Sequence, residues 1–405
     1  MNSHHDESMN IKKVILGDLE QCLNLNSRVF VMPIRRVEVY TVELPYKKPF
    51  TISMGTSYSS TDVVVKLIDD EGNVGWGEAS PSRRVTGESE DTILSAMNVL
   101  APQLINEDPL NVEEIERKLA GAILGNTSAK LALEMAVFDL KGKILGVRVR
   151  DLLGGYRDRV ETDFTIGIMS PEEMASDALK YVEMGFRILK LKVGLGLEED
   201  IARVKAVRDA VGKDIRIRID ANQGWTVKQA KKALSSMERY DVELAEQPVK
   251  WYDYEGMAEL TRVSPIPIMA DESVHSARDA LLVAKMRAAD YINIKLTKAG
   301  GLLEARRIAA ISEAAGIPNM IGCMMEGGIS ITAAVHFATA TRNLVTTDLD
   351  SDISLKEDFV EGGAKCEKGF RILPEGPGLG NLRVKEGMLK LRGVFEEGKE
   401  VSTPL

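Results

Sequence analysis

Five ionisable residues set the rhythm of this chain. Lys192, Asp220, Glu246, Asp271 and Lys295 each close a short apolar run, and they stand 28, 26, 25 and 24 residues apart. That interval is the length of one strand, one helix and their connections. The runs are 188–192, 216–220, 242–246, 266–271 and 291–295; amphipathic stretches such as 198–211, 227–239 and 277–286 lie between them, and 302–315 follows the last. Two more apolar runs, one ending near Glu326 and one at Asp348–Leu349–Asp350, continue the series, and 160–167 precedes it, so eight strands are expected. A repeat of this kind with a charge at each strand's C-terminal end predicts a closed (β/α) barrel, whose strand ends gather into one site. An open doubly wound sheet is the alternative. It would not bring five consecutive strand ends to one point.

The run Ile188–Leu189–Lys190–Leu191–Lys192–Val193 sharpens the expectation. Strand alternation puts Lys190 and Lys192 on one face and Leu189, Leu191 and Val193 on the other. Both faces have the texture of a covered parallel strand, and lysine is almost never buried without a partner or a task. An edge strand with two solvated lysines is the bland reading of this run alone.

With 405 residues the chain exceeds what one core usually supports, so two domains are expected. Residues 1–33 read as an extension outside the main fold, 34–155 as an α+β capping domain, 156–350 as the barrel, and 351–405 as a return to the cap. Alternation at period two over 36–43, 62–69 and 74–78 predicts antiparallel strands in the cap, while the Ser-, Thr- and Tyr-rich segment 45–60 reads as a long loop. The stretch 128–145 is apolar around most of its circumference and predicts a buried helix.

A formal net charge of -9 argues against nucleic acid or an anionic membrane as the main partner. No run of 18 apolar residues exists to cross a membrane, and residues 11–30 lack the apolar core of a signal peptide, so a cytoplasmic protein is expected. Cys22, Cys323 and Cys366 are too few and too scattered for a disulfide framework or a zinc site.

Asp220, Glu246 and Asp271 form an all-oxygen set that suits a hard divalent cation, Mg2+ or else Mn2+; their bland role is capping or ion pairing at loop starts. Lys192 and Lys295 would flank them one strand further out on either side. The cation and the second ammonium would each depress a lysine's basicity. A substrate carboxylate on the cation, with one lysine removing its α-proton and the other on the opposite face, gives an enediolate that can be reprotonated from either side. Racemisation or epimerisation is the natural outcome.

Lys190–Leu191–Lys192, Asp220–Ala221–Asn222, Glu246–Gln247–Pro248, Ala270–Asp271–Glu272–Ser273 and Lys295, in that order, resemble the muconate lactonizing enzyme subgroup of the enolase superfamily from about residue 34 to the end. The resemblance implies a modified (β/α)7β barrel with an α+β cap, Mg2+ on Asp220, Glu246 and Asp271, Lys192 and Lys295 as acid/base pair, and a homo-oligomer. Within the subgroup the chain looks most like the dipeptide epimerases. Asp348 and Asp350 match an Asp-x-Asp motif that holds the substrate's α-ammonium there, and Thr165 and Lys190 match positions contacting its C-terminal residue. Loop-capping aspartates are the bland alternative for the pair. In epimerases acting on L-Ala-D/L-Glu an arginine of the first capping loop takes the glutamate side chain, whereas Ser53–Met54–Gly55–Thr56 holds no basic residue; Arg83 or Arg84 of the second loop is a substitute, or the preferred side chain is apolar. Rival expectations are a muconate or chloromuconate cycloisomerase, an o-succinylbenzoate synthase or an N-acylamino acid racemase on the same centre, and, in another class, a barrel that binds a ligand without catalysis.

Overall fold

The computed structural model describes residues 32–398. The expected extension over 1–33 lies outside the described residues except for its last two positions, and Cys22 falls there too. Cys323 and Cys366 are free thiols. No described helix is long and apolar enough to cross a membrane.

Eight parallel strands form the larger sheet in sequence order: Phe164–Ile166, Ile188–Lys192, Arg216–Asp220, Val242–Glu246, Ile268–Ala270, Tyr291–Ile294, Asn319–Gly322 and Leu344–Asp348. A parallel bridge between Thr162 and Thr347 joins the last strand to the chain just before the first, so the sheet closes on itself. The open-sheet alternative is thereby excluded. Helices such as Leu197–Val211, Val227–Met237 and Ala277–Met286 cover its outside. Their starts are set locally: Ser170 with Glu173, and Thr226 with Gln229, form reciprocal capping boxes that occupy otherwise orphaned amides.

Inside the barrel the side chains stack in layers, as strand alternation requires. The deeper layer includes the apolar cluster Leu244, Met269 and Met320, with Arg218 beside it donating to Asp163 at 2.9 Å and Glu243 at 2.6 Å. The upper layer is charged. Ile188–Lys192 is buried at every position, so its lysines belong to the interior and not to a solvated edge.

The cap is a four-stranded antiparallel sheet in the order Lys390–Glu396, Ile34–Ile52, Gly55–Asp69, Val74–Ala79, so both ends of the described chain meet in it. Helix Thr127–Leu145 packs on this sheet and is buried at most of its positions, Leu131, Met135 and Phe138 among them, which accounts for its lack of a polar face. Segment 45–60 differs from the long loop expected of it. Its two arms pair as a hairpin, Phe50 opposite Ser57 and Ile52 opposite Gly55, with one irregularity between Pro45 and Phe50. Serine- and threonine-rich arms give no hydrophobic alternation, and here cross-strand pairing decides.

The expected first barrel strand, 160–167, is split. Arg159–Glu161 pairs antiparallel with Phe370–Ile372, and only Phe164–Ile166 joins the barrel. The break falls at buried Thr162 and Asp163, the latter turned inward to Arg218. Glu326, expected to end a strand, lies four residues beyond Gly322 in the following loop.

Two buried acids of the cap dock it onto the barrel. Glu78 accepts from Gly327 N at 2.7 Å and Ser330 N at 2.8 Å, at the start of barrel helix Gly328–Ala340. Glu134 accepts from Leu303 N at 3.0 Å, at the start of helix Leu302–Ala314. Each fills amide positions a helix cannot satisfy itself.

Candidate active site

Lys192, Asp220 and Glu246 are register partners on three adjacent strands, so their side chains emerge on one rung toward the barrel mouth. Asp271 follows the next strand, and Lys295 the one after. One carboxylate oxygen from each of Asp220, Glu246 and Asp271 lies within 4.8 Å of the others, and all three residues are buried. The five predicted groups therefore converge. Lys192 donates to Asp220 Oδ2 at 2.6 Å on one flank, and Lys295 donates to Asp271 Oδ2 at 2.8 Å on the other.

The donor set has no histidine or cysteine, which fits a hard cation. Acceptors are also in surplus around it: buried Asn222 Oδ1, Glu272 Oε2 and Asn293 Oδ1 have no hydrogen-bond partner among the described residues. Both observations fit a divalent cation at this point.

Electrostatics separate Asp271 from Glu246. Burial raises Asp271, but Lys295 and Lys298 more than offset it, and its pKa is held well below the ordinary carboxylate value. Glu246 stands between two other acids, and burial, together with the charges of Asp220 and Asp271, pushes it up to about 7 despite Lys190. Lys295 carries the counterpart of the Asp271 shift. Burial lowers its pKa, yet Asp271 and Glu246 outweigh burial and hold it above the ordinary lysine value, because its ammonium faces those carboxylates directly.

Lys190 ties the site together. Its ammonium contacts Glu246 Oε2 at 3.2 Å, Asp220 Oδ2 at 3.6 Å, and Asp348. Thr165 joins the two acids of the last strand, donating from its backbone N to Asp350 Oδ2 at 2.6 Å and from Oγ1 to Asp348 Oδ1 at 3.1 Å. Thr165, Lys190, Asp348 and Asp350 thus form one group, in which Thr165 and Lys190 brace the acids. Burial and the neighbouring Asp348 push Asp350 up to about 6, whereas at Asp348 burial is outweighed by Lys190, Asp163 and Lys192 together, which hold it low.

Three further residues belong here and went unread in the sequence. Asn293 donates to Glu246 Oε1 at 2.6 Å. It has room because Gly322 on the next strand lacks a side chain; a Cβ there would fall 2.8 Å from the Asn293 amide. Lys298, on the short helix Leu296–Ala299, contacts Asp271 Oδ1 at 2.6 Å and also bonds the Asp271 backbone carbonyl. Glu272, pushed up to about 7 by burial and by Asp271, accepts from Asn222 Nδ2 at 3.2 Å. Asn293 was readable as the inward position two before Lys295; Lys298 needed the turn of a helix to return it.

Above this floor lies a cavity of about 520 Å3, walled by the cap at Met54, Gly55 and Arg84 and by the barrel at Lys192, Lys295 and Asp348.

Residues 35–154 match the family described as mandelate racemase/muconate lactonizing enzyme, N-terminal domain, and residues 173–383 match the family described as enolase C-terminal domain-like. The chain is a mandelate racemase/muconate lactonizing enzyme family protein of the enolase superfamily. An L-Ala-D/L-Glu epimerase of Clostridium acetobutylicum is 44% identical over 352 residues, which cover 86% of this chain and 98% of that protein. A hydrophobic dipeptide epimerase of Enterococcus faecalis is also 44% identical, over 86% of this chain and 99% of that protein. The crystal structure of the dipeptide epimerase from Enterococcus faecalis, complexed with Mg and the dipeptide L-Leu-L-Tyr, superposes with a TM-score of 0.85 at 43% identity, covering 86% of this chain and 99% of that one. The modified barrel with its cap is therefore the fold of this family member.

Proposed function

We propose that this protein epimerises dipeptides at the α-carbon of the C-terminal residue. The observation that carries the reading is the order of charges around the barrel mouth. Amine, three acids and amine follow one another on five consecutive strands, and a second pair of acids faces the same cavity. The described residues around it divide as 34–155 and 351–398 for the cap and 156–350 for the barrel.

In this reading Asp220, Glu246 and Asp271 hold Mg2+. The bound cation would chelate the substrate carboxylate, stabilise charge developing on it, and draw carboxylate charge away from the two ammoniums. Lys192 and Lys295, each at its own flank, remove and return the α-proton at Nζ, so a proton taken from one side is replaced from the other. Asp348 and Asp350, braced by Thr165 and Lys190, accept the substrate ammonium, since a cation favours paired anionic acceptors. That pair also favours a dipeptide over substrates lacking a free amine, such as muconates or N-acylamino acids.

A dipeptide panel incubated in D2O with Mg2+ tests the proposal, with the α-proton signal followed by NMR. Exchange at the C-terminal residue is expected, lost on chelation and restored by Mg2+, with Mn2+ as a comparison. No exchange with any dipeptide would leave a barrel that only binds its ligand.

A further inference from the structure

We infer that Asp200 is a positioning residue for Lys192: it fixes the backbone at the end of the second barrel strand, and with it the aim of one amine of the pair but not the other. The inference rests on the two-lysine reading above and deepens it.

Lys192 is the last residue of its strand, and its ammonium stands on a flexible four-carbon stem. The place of Nζ is therefore only as firm as the backbone that follows. That backbone is Val193–Gly194–Leu195–Gly196, the loop into helix Leu197–Val211.

Asp200, in the first turn of that helix and fully buried, turns back onto the loop. Its Oδ2 accepts from Gly194 N at 2.9 Å and from Gly196 N at 3.3 Å. The same oxygen accepts from the indole Nε1 of Trp225 at 3.1 Å, and Trp225 belongs to the loop after Asp220. Oδ1 pairs with Arg203 Nη1 at 2.8 Å, while Arg203 Nε donates to the Met169 carbonyl at 2.8 Å, just past the first barrel strand. One carboxylate thus ties together the ends of three adjacent strands.

The loops are shaped for this junction. Gly194 has φ +105°, and a Cβ there would fall 2.5 Å from the Ala221 carbonyl oxygen; a Cβ on Gly224 would fall 2.4 Å from the Gly194 carbonyl oxygen. Between those contacts Asn222 and Gln223 have φ 39° and 67°, a conformation that residues with side chains hold only where their surroundings impose it. Capping of its own helix would account for the bonds from Asp200 to the two glycine amides. It leaves the bond to Trp225 unexplained.

Lys295 is held by a different set. It precedes the short helix Leu296–Ala299, its carbonyl accepts from Ala299 N at 3.0 Å, and Lys298 of that helix bonds the Asp271 and Asn293 carbonyls. Loosening the Asp200 junction therefore disturbs one amine alone, and proton transfer is steeply sensitive to small misplacements of the reacting group.

The test follows α-deuteration of each epimer separately, by NMR in D2O with Mg2+, on the dipeptide that the unsubstituted full-length protein exchanges fastest in a panel including L-Ala-L-Glu, L-Leu-L-Tyr and their C-terminal epimers. Lys192→Ala identifies the epimer that Lys192 serves. Asp200→Ala should slow wash-in at that epimer by about tenfold or more and leave wash-in at the other within about twofold, so that the second epimer exchanges with retention faster than it inverts. Asp200→Asn keeps an acceptor for the amides but loses the ion pair with Arg203, and should fall between. Trp225→Phe, which removes a single bond and decides the matter should Asp200→Ala not fold, should show the same asymmetry at about threefold. Equal slowing of both epimers, or no slowing in the folded variants, overturns the inference and leaves the dipeptide reading in place. Absence of exchange with every dipeptide by the unsubstituted protein, or a Lys192→Ala protein that silences both epimers or neither, overturns the reading on which the inference rests and the inference with it.

Discussion

One group of buried carboxylates lies at the barrel mouth and another on the cap where it meets the barrel, and what faces them makes them opposites. At the mouth, Asp271 meets the ammoniums of Lys295 and Lys298, which outweigh its burial and hold it charged. At the junction with the cap, Glu134 meets only backbone amides, and burial pushes it up to about 7. Glu78, also at a helix N-terminus, is raised well above the ordinary value by burial and by Asp62. A helix terminus offers about half a unit charge, which does not repay desolvation as a full cation does. The junction acids are therefore cohesive groups, holding amides and a proton. Asp271 at the mouth is instead kept ionised by its two ammonium partners. Glu246 is the informative exception, because burial and the two acids flanking it raise it to about 7, and a dication would relieve that position.

The contrast can be broken in four ways. Glu246→Gln removes the middle acid of the mouth: α-proton exchange should fall by about 10^3-fold, while the melting temperature without metal should hold or rise, since like-charge repulsion is removed. A large loss of stability would contradict the division between the two groups. Glu78→Ala is the converse change. It orphans two amides and leaves a void, and should cost about 3 kcal/mol in denaturant unfolding, with the remaining folded protein still exchanging α-protons.

Glu134→Gln tests the protonation claim. Because the folded pKa of Glu134, about 7, lies above its unfolded value of 4.5, its favourable contribution is complete below pH 4.5 and is lost as pH rises through 7. Stability of the unsubstituted protein should decline across that window by on the order of 2 kcal/mol relative to Glu134→Gln; parallel pH profiles would show Glu134 to be ordinary. The smallest effect belongs to the second acid pair. Asp348→Asn should lower kcat/KM for free-amine dipeptides by about tenfold and leave any activity on N-acylated substrates unchanged. Equal losses on both would remove its role as ammonium acceptor.

Much of this was legible because strands impose a period of two and barrels a period of one βα unit. Lys192, Asp220, Glu246, Asp271 and Lys295 each follow an apolar run, so register alone brings them together. The same rule extends to Asn293, which went unread. It could not cover Lys298, which reaches Asp271 from a helical turn. The hairpin arms at 45–60 were hidden because serine and threonine are neutral toward both water and a pleated sheet. The cap–barrel contacts of Glu78 and Glu134 have no sequence period, since they join elements more than 150 residues apart.

The central claim is that Lys192 and Lys295 serve opposite faces of one α-carbon. Deuterium incorporation from D2O into each epimer of a substrate dipeptide, measured separately for Lys192→Ala and Lys295→Ala, tests it most directly. Each variant should exchange the α-proton of one epimer only, a different one for each, and neither should interconvert the two. A variant that exchanges both epimers, or still epimerises at the original rate, would contradict it.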